Sequence, residues 1–222
     1  MASSSAADDW KPLVCLLTLD KPDFFNDLYK DFVRLLQSKA RVQQIKTPED
    51  ARAAYTSRPP PAAILSADES LTASTRISLL DEALSYARAG GILLFMGLFS
   101  SFTRPSDINT LFARLGLPWS SGDYHRTTFK INLDMKHFNT DGLARSYSQK
   151  ALHLANVAHA DAIYLPSDGS HVESMVFGPA PIDDKKQTPA ALAKVGDGKI
   201  GYIGDVNNEN ETMPLVLAMC GI

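Results

Sequence analysis

Cysteine is scarce in this chain, and neither sign of charge dominates it. Two cysteines among 222 residues are too few for a disulfide framework, so we expect a reduced compartment, the cytoplasm. Lysine and arginine number 22 and aspartate and glutamate 25, and the net charge of −3 argues against a general nucleic-acid binder, which needs a basic face. No apolar run reaches the roughly 18 residues that a membrane span requires, so no membrane partner is expected.

The motifs of several common sites are also missing. No Gly-x-Gly-x-x-Gly follows the first apolar run, and residues 196–199, Gly-Asp-Gly-Lys, lack the upstream glycine and the following hydroxyl residue of a phosphate loop. The histidines show neither His-x-His nor His-Glu-x-x-His spacing, so a metal site is not supported; they are His125, His137, His153, His159 and His171. We therefore expect no metal and no other cofactor.

The chain divides into a short polar tail and a long folded part. Residues 1–10 are small and polar, and we expect a disordered tail that lacks the basic and apolar regions of a signal peptide. Residues 11–222 are expected to form one domain, because apolar residues make up 45% of the chain and its length suffices for a core that needs no disulfide or metal cross-links. Cys15 and Cys220 are predicted to pack in that core as small hydrophobic side chains.

Residues 13–116 alternate four times between short apolar runs, typical of strands, and amphipathic segments, typical of helices. The predicted strands cover residues 13–19, 41–46, 62–66 and 91–96. Thr47 and Pro48 are typical of a helix start, and Gly90 is typical of a helix end. Crossovers of this length require parallel strands and right-handed connections, so this half predicts a flavodoxin-like, doubly wound α/β fold with a mostly parallel sheet and helices on both faces.

The second half predicts a small antiparallel β extension. Residues 127–133 alternate apolar and polar side chains, as a half-exposed strand does. Shorter strands are predicted at residues 162–165, 172–177, 190–195 and 199–203, and a turn at residues 196–198 joins the last two in a hairpin. Residues 120–126, by contrast, are predicted to form a polar loop, and residues 215–219 the core of a closing helix.

Three segments are similar to those of one known superfamily. Residues 90–97 resemble its glycine-started central strand, residues 192–199 its hairpin lead-in, and residues 199–205 the late strand that carries its histidine. With the order of elements around them, these segments resemble the class I glutamine amidotransferase-like superfamily and, within it, the ThuA-like branch. The resemblance implies a sharp strand–turn–helix elbow that bears a catalytic cysteine, and a histidine and an acid later in the chain.

The same resemblance implies that the glutaminase residues are absent. The elbow corresponds to residues 97–101, where Phe99 stands at the position of the cysteine, and a benzyl group cannot attack a carbonyl. Asp205 stands at the position of the histidine, and the ordinary pKa of an aspartate, about 3.9, makes it a poor base near pH 7. We therefore expect no release of ammonia from glutamine.

Polar side chains at the carboxyl ends of the predicted strands are the candidates for a site, since open parallel sheets bind ligands at that edge. Asp205 is expected to face a cleft, to cap the last helix or to be an acid of a surface loop. Ser100 is expected to be a nucleophile or a hydrogen-bond donor to a ligand, or else a helix cap or turn hydroxyl, and His125 to lie in a lid or an exposed connector. These three are the candidate catalytic residues. Asp20 is predicted to cap the helix that follows it. The candidate ligand-binding residues are Asp68, Gly97, Phe99, Ser101 and Asn207.

Three hypotheses of function follow from these features. The first is a catalytically degenerate domain that binds a small polar ligand or a protein partner. The second is an enzyme, a ThuA-like hydrolase or isomerase that acts on a small polar, sugar-like metabolite through a reshaped cleft. The third is a structural subunit of a larger assembly. Because relatives in the superfamily often associate with themselves, a homodimer is expected as well.

Overall fold

The structure is a computed structural model that describes residues 10–135, 138–174 and 176–222. Residues 1–9 of the predicted tail, and His137, lie outside the described residues. Within the described ranges, no helix is long and apolar enough to cross a membrane.

The central sheet is built largely from the strands that the apolar runs predict. Along the chain the strands are β1 (Leu13–Leu17), β2 (Arg41–Ile45), β3 (Ala63–Ser66), β4 (Ile92–Phe95), β5 (Ser120–Ile131), β6 (Ser146–Ala155), β7 (Tyr164–Pro166), β8 (His171–Val172), β9 (Ala180–Pro181), β10 (Ala190–Val195) and β11 (Gly198–Ile203). Six of these described strands form one sheet in the order β10-β11-β4-β3-β1-β2, and only its β10–β11 pair is antiparallel. A mixed α/β fold with a mostly parallel sheet is therefore confirmed.

Helices pack against both faces of this sheet. They are α1 (Phe25–Leu28), α2 (Lys30–Lys39), α3 (Pro48–Thr56), α4 (Ile77–Arg88), α5 (Phe99–Phe102), α6 (Pro105–Arg114) and α7 (Thr212–Cys220), with 3-10 turns at Glu69–Thr72 and Ser74–Arg76. Neighbouring residues of a strand point to opposite faces, so Cys15 packs in the core with α3, α4 and α6, whereas Val14 packs in the core with α2 and α7. Cys15 and Cys220 are both buried and free, as predicted.

Local sequence signals set the ends of two helices. The Thr47 side chain accepts a hydrogen bond from the Asp50 amide at 3.1 Å, and Pro48 occupies the first turn, which confirms the predicted start of α3. Gly90 follows α4 with a φ of +110°, a backbone conformation that glycine adopts without strain.

The antiparallel extension is present but is larger than the sequence predicts. β6, β5 and β7 form one antiparallel sheet in that order, and β8 pairs with β9. The predicted loop at residues 120–126 is wrong, because these residues begin β5 and pair with β6 around a bulge between Ser121 and Tyr124. β6 itself is absent from the sequence predictions. The strand predicted at residues 172–177 is also wrong in extent, since β8 ends at Val172; Met175 lies outside the described residues.

β6 is joined to the end of β11 by backbone hydrogen bonds. The Leu152 amide donates to the Gly204 carbonyl at 3.0 Å, and the Val206 amide donates to the Lys150 carbonyl at 3.1 Å. Gly204 allows this close approach, since a Cβ atom there would lie 1.9 Å from the Leu152 carbonyl oxygen. The antiparallel sheet is thereby held against the carboxyl edge of the central sheet.

We expect the substitution Gly204→Ala to lower the free energy of unfolding by about 1–3 kcal/mol, because the added methyl group forces apart the backbones of β6 and β11. Urea unfolding followed by circular dichroism measures this change. Gly178→Ala is the matched control, since a Cβ atom at Gly178 meets no atom of the described residues within 4 Å. Equal free energies of unfolding of the two variants would contradict a close backbone contact between Gly204 and Leu152.

Candidate functional site

The antiparallel sheet divides the carboxyl edge of the central sheet into two parts. β6 contacts α5 and forms a bridge with the chain just after β11. We call the covered part the sealed half; it consists of residues 97–100, Asp205, and Tyr147 and Gln149 of β6, all of them buried. The ends of β1 and β3 open instead onto a surface groove. The predicted elbow and Asp205 therefore lie on the covered side.

Asp205 holds the loop between β11 and α7. The residue is 2% exposed, and its carboxylate accepts hydrogen bonds from the amides of Asn207 (2.9 Å) and Glu209 (2.8 Å) and from the Thr212 hydroxyl. Burial raises the pKa of the carboxyl group above its usual range, and the hydrogen bonds act in the opposite direction. Within the described part of the chain no side chain caps α7, so the prediction that Asp205 caps this helix is wrong. A catalytic role for Asp205 stays a prediction.

A chain of hydrogen bonds leads from Asp205 into β6. The Thr212 hydroxyl, which donates to Asp205, lies 3.5 Å from Tyr147 Oη, and this oxygen accepts a hydrogen bond from Gln149 Nε2 at 2.8 Å. Two buried oxygens in the same region, Gln149 Oε1 and Tyr29 Oη, have no partner among the described residues. The sealed half is thus a polar interior whose hydrogen bonding is incomplete, and an unpaired buried oxygen is costly.

The elbow keeps a sharp turn and has an aromatic ring at its centre. Gly97 has a φ of +66°, which favours glycine, and the next amide, that of Leu98, donates to the Ala67 carbonyl at 3.0 Å. The Phe99 ring is fully buried, with its centroid 4.9 Å from that of Phe95. Phe99 therefore belongs to the core between sheet and helices, and contact with a ligand would require the elbow to move.

Three polar side chains near the elbow, those of Ser100, Ser101 and Asn207, differ in their exposure to solvent. Ser100 is 5% exposed, and its hydroxyl lies 3.4 Å from the Gly97 carbonyl oxygen, to which it donates. Ser101 and Asn207 are exposed. The structure does not bring these three side chains together in one cleft, and their assignment as site residues stays a prediction.

A groove of about 560 Å³ opens beside the sealed half, between the 3-10 turns that follow β3 and the helices α5 and α6. We call it the open groove. Its apolar side chains include Leu71, Leu80 and Leu111, and Phe102 and Ile77 line it while remaining 51% and 45% exposed. Its polar lining comprises Asp20, Glu69, Thr72, Ser74, Thr103, Arg104, Asp107, Thr110 and Arg114. A concave, partly apolar surface at this edge is where an open α/β sheet binds ligands.

Asp20 and Asp68, which follow β1 and β3, have exchanged the roles that the sequence predicts for them: Asp68 binds backbone amides, and Asp20 lines the open groove. Asp68 is fully buried and accepts hydrogen bonds from the amides of Asp20 (2.8 Å) and Ser70 (3.1 Å), which ties the two strand ends together. Burial raises the pKa of its carboxyl group. Asp20 lines the open groove and pairs with Arg76 through both carboxylate oxygens, so its predicted role as a helix cap is wrong. A ligand contact by Asp68 stays a prediction.

His125 and His153 form a pair between β5 and β6. Their ring centroids are 4.3 Å apart with perpendicular planes, and Nε2 of each ring is buried without a partner among the described residues. Burial lowers the pKa of His125 and lowers that of His153 to about 3, so His153 is neutral near pH 7. His125 lies in a strand, and the predictions of a lid or a connector are wrong.

Sequence reasoning misses most of the open groove. Phe102, Thr103 and Arg104 follow the elbow directly, so the rule that ligands bind at the carboxyl edge was the signal that could have found them. His153 and Gln149 carry no such signal, because β6 is not predicted. Among the described residues, no group of three or more His, Cys, Asp or Glu side chains could hold a metal ion.

Comparison with known proteins identifies the fold. No protein-family model and no curated protein matches the chain. A ThuA-like protein from Bacteroides uniformis ATCC 8492 is 11% identical, with a TM-score of 0.55 over 98% of this chain and 93% of that one. A cytoplasmic protein from Salmonella typhimurium LT2 is 14% identical, with a TM-score of 0.56 over 92% of each chain.

A β-galactosidase from Halorubrum lacusprofundi is 17% identical, with a TM-score of 0.56 over 96% of this chain but only 31% of the galactosidase chain. This chain therefore corresponds to about a third of that protein. The chain has a ThuA-like fold, and at such low identities the likeness extends to the fold alone.

We expect the free energy of unfolding to fall by about 1.5 kcal/mol between pH 6.5 and 5 through His153 alone. The folded state holds this ring neutral, with a pKa of about 3, whereas the unfolded chain binds a proton below about pH 6.5. Stability is thus present above that pH and is lost as the pH falls. His153→Phe should remove this part of the slope in urea unfolding measured across the pH range.

His171→Phe is the control for that measurement, because His171 is an exposed histidine on β8. The control should keep the pH dependence of the unchanged protein. An identical slope in His153→Phe and in the unchanged protein would show that His153 is accessible to protons in the folded state.

Proposed function

We propose that residues 11–222 form one flavodoxin-like, amidotransferase-like domain that binds a small polar ligand in the open groove and releases no ammonia from glutamine. The observation that carries this proposal is the groove itself, which places charged and hydroxyl side chains beside apolar ones at the carboxyl edge of the sheet. The sealed half, by contrast, offers a ligand no exposed surface at Asp205 or Phe99.

The reactive groups of the chain support the absence of glutaminase chemistry. Burial raises the pKa of Cys15 to about 11 and that of Cys220 to about 12, so neither thiol forms a thiolate near pH 7. Phe99 occupies the elbow, and the pair of His125 and His153 lies in the antiparallel sheet rather than at the end of β11. A pseudoenzyme fits these features.

The proposal includes a cytoplasmic location and association into a homodimer or with another protein. The low cysteine content supports the location, and the self-association of superfamily relatives supports the dimer. With a net charge of −3, neither nucleic acid nor a membrane surface is proposed as a partner.

One observation favours the second candidate, a hydrolase or isomerase acting on a sugar-like metabolite. Glu69 lines the open groove, and burial raises the pKa of its carboxyl group, as is common for general acids. Asp205, His125 and Ser100 do not line that groove, so a reaction there would depend on Glu69. An enzyme would consume the compound that it binds, and Glu69→Gln would slow this turnover without abolishing binding.

We expect the purified chain to release no ammonia from glutamine above the rate of a protein-free control. The physical reason is that a buried benzyl side chain occupies the position of the nucleophile. A coupled ammonia assay measures the rate. Release of ammonia in proportion to the protein concentration would refute this part of the proposal.

We expect a screen of sugars, amino acids and other metabolites by thermal shift to find a ligand whose effect depends on the groove. A ligand at about 100 times its dissociation constant adds about 2.7 kcal/mol of stability, which is roughly 5–10 °C in a chain of this length. Thr110→Trp, which fills the groove from α6, should abolish that shift.

Thr56→Trp is the matched control, because Thr56 is an exposed helical threonine like Thr110 but lies outside the open groove. The hydroxyl of each donates to the carbonyl oxygen four residues earlier in its helix, at 2.8 Å for Thr110 and 2.9 Å for Thr56. Thr56→Trp should preserve the shift. A shift that survives Thr110→Trp would move the ligand elsewhere, and the absence of any shift would favour a protein-binding scaffold.

A further inference from the structure

We propose that the ligand of the open groove is an organic cation, an amine or guanidinium group attached to a small apolar body. This inference rests on the proposed function and names the chemical class of the ligand. It follows from the charge balance of the groove lining, from the apolar and aromatic side chains in the same lining, and from a buried hydroxyl group without a partner among the described residues.

The charges that line the groove are paired with one exception. Arg104 pairs with Asp107 at 2.8 Å, and Arg114 pairs with Asp81, which lies outside the groove, at 2.7 Å. Asp20 is paired with a neighbouring arginine, as described above. Glu69 makes no ion pair within 4.0 Å among the described residues. The groove therefore presents one carboxylate that has no ion-pair partner among the described residues.

The surroundings of Glu69 favour a cation further. Burial is the main cause that raises the pKa of the Glu69 carboxyl group, and the nearby carboxylates of Asp68 and Asp20 raise it further. The backbone amide of Glu69 itself and the Arg76 guanidinium act in the opposite direction. A bound cation would lower the pKa of Glu69 again, because an opposite charge at short distance stabilises the carboxylate.

The rest of the groove suits the remainder of such a ligand. Leu71, Leu80 and Leu111 provide an apolar surface for a hydrocarbon body, and about half of the Phe102 side chain is exposed. An exposed aromatic face attracts a cation within about 6 Å of its centroid. A small anion or a fully hydroxylated sugar would leave these apolar side chains without a matching surface.

Thr103 supplies an acceptor that the protein itself does not use. The residue lines the groove and is 6% exposed, and its buried hydroxyl oxygen has no hydrogen-bond partner among the described residues. An ammonium group carries three N–H donors and no acceptor, so it matches a set of acceptors made of one carboxylate and one hydroxyl oxygen. An unpaired buried hydroxyl is costly, and a turn of this side chain toward a donor of the ligand in the groove would remove that cost.

Three compounds of nearly equal shape test the inference: 2-phenylethylamine, 2-phenylethanol and 3-phenylpropanoate. Isothermal titration calorimetry at pH 7 and low salt should show that the amine binds about tenfold or more tightly than the alcohol, and that the acid binds more weakly than both. Added salt should weaken binding of the amine and leave that of the alcohol nearly unchanged.

Glu69→Gln removes the charge and retains the shape, so it should weaken amine binding by about tenfold or more and leave alcohol binding unchanged. Glu49→Gln is the control, because Glu49 is an exposed glutamate on α3 outside the groove. It should change neither affinity.

The outcomes separate this inference from the proposed function. Three results would each overturn the inference that the ligand is a cation. They are equal affinity for the amine and the alcohol, no measurable binding of the amine, and amine binding that Glu69→Gln leaves intact. If another compound then bound in a manner that Thr110→Trp abolishes, the small-ligand groove would stand without the cation. Amine binding that persists in Thr110→Trp would overturn the groove as the site, and both proposals with it.

Discussion

The backbone hydrogen bonds between β6 and the end of β11 are the constraint on which the site depends. They form at Gly204, where the absence of a side chain lets the Leu152 carbonyl approach. Because backbone groups pair only in fixed register, this junction holds the antiparallel sheet over α5 and the end of β11. The ends of β1 and β3 stay uncovered, and the division into a sealed half and an open groove follows.

Burial also sets the ionisation of the side chains at this edge of the sheet. Asp205 and Asp68 lose their water, and each receives backbone N–H donors in exchange, so both carboxylates hold strand ends and loops in place. His153 receives no such donor or acceptor at Nε2 and stays neutral. The two buried carboxylates thus have structural partners, whereas Glu69, which is only half-buried, makes no ion pair among the described residues. Accessible charged and hydroxyl side chains at this edge line the open groove.

A shared fold leaves the location of a site undecided. In the superfamily that the sequence resembles, the elbow carries the nucleophile; here a core aromatic ring fills that turn and packs against Phe95. A ring in such a place stabilises the interface between the sheet and the helices. The open groove lies next to the elbow at the same edge of the sheet, where Phe102 and Thr103 end α5 and pass into α6.

The sequence by itself determined the central sheet, because β1, β3 and β4 are apolar runs whose burial on two faces shows in local composition. It also determined the start of α3 at Thr47, since capping depends on residues only three positions apart. Only the tertiary structure decided that residues 120–126 form a strand, because their polar side chains are compatible with a loop until β6 supplies the hydrogen bonds. It decided as well that Asp68 is buried and Asp20 lines the groove, although both follow apolar strands. Pairing between distant segments sets such burial, and the periodicity of one segment carries no information about its partner.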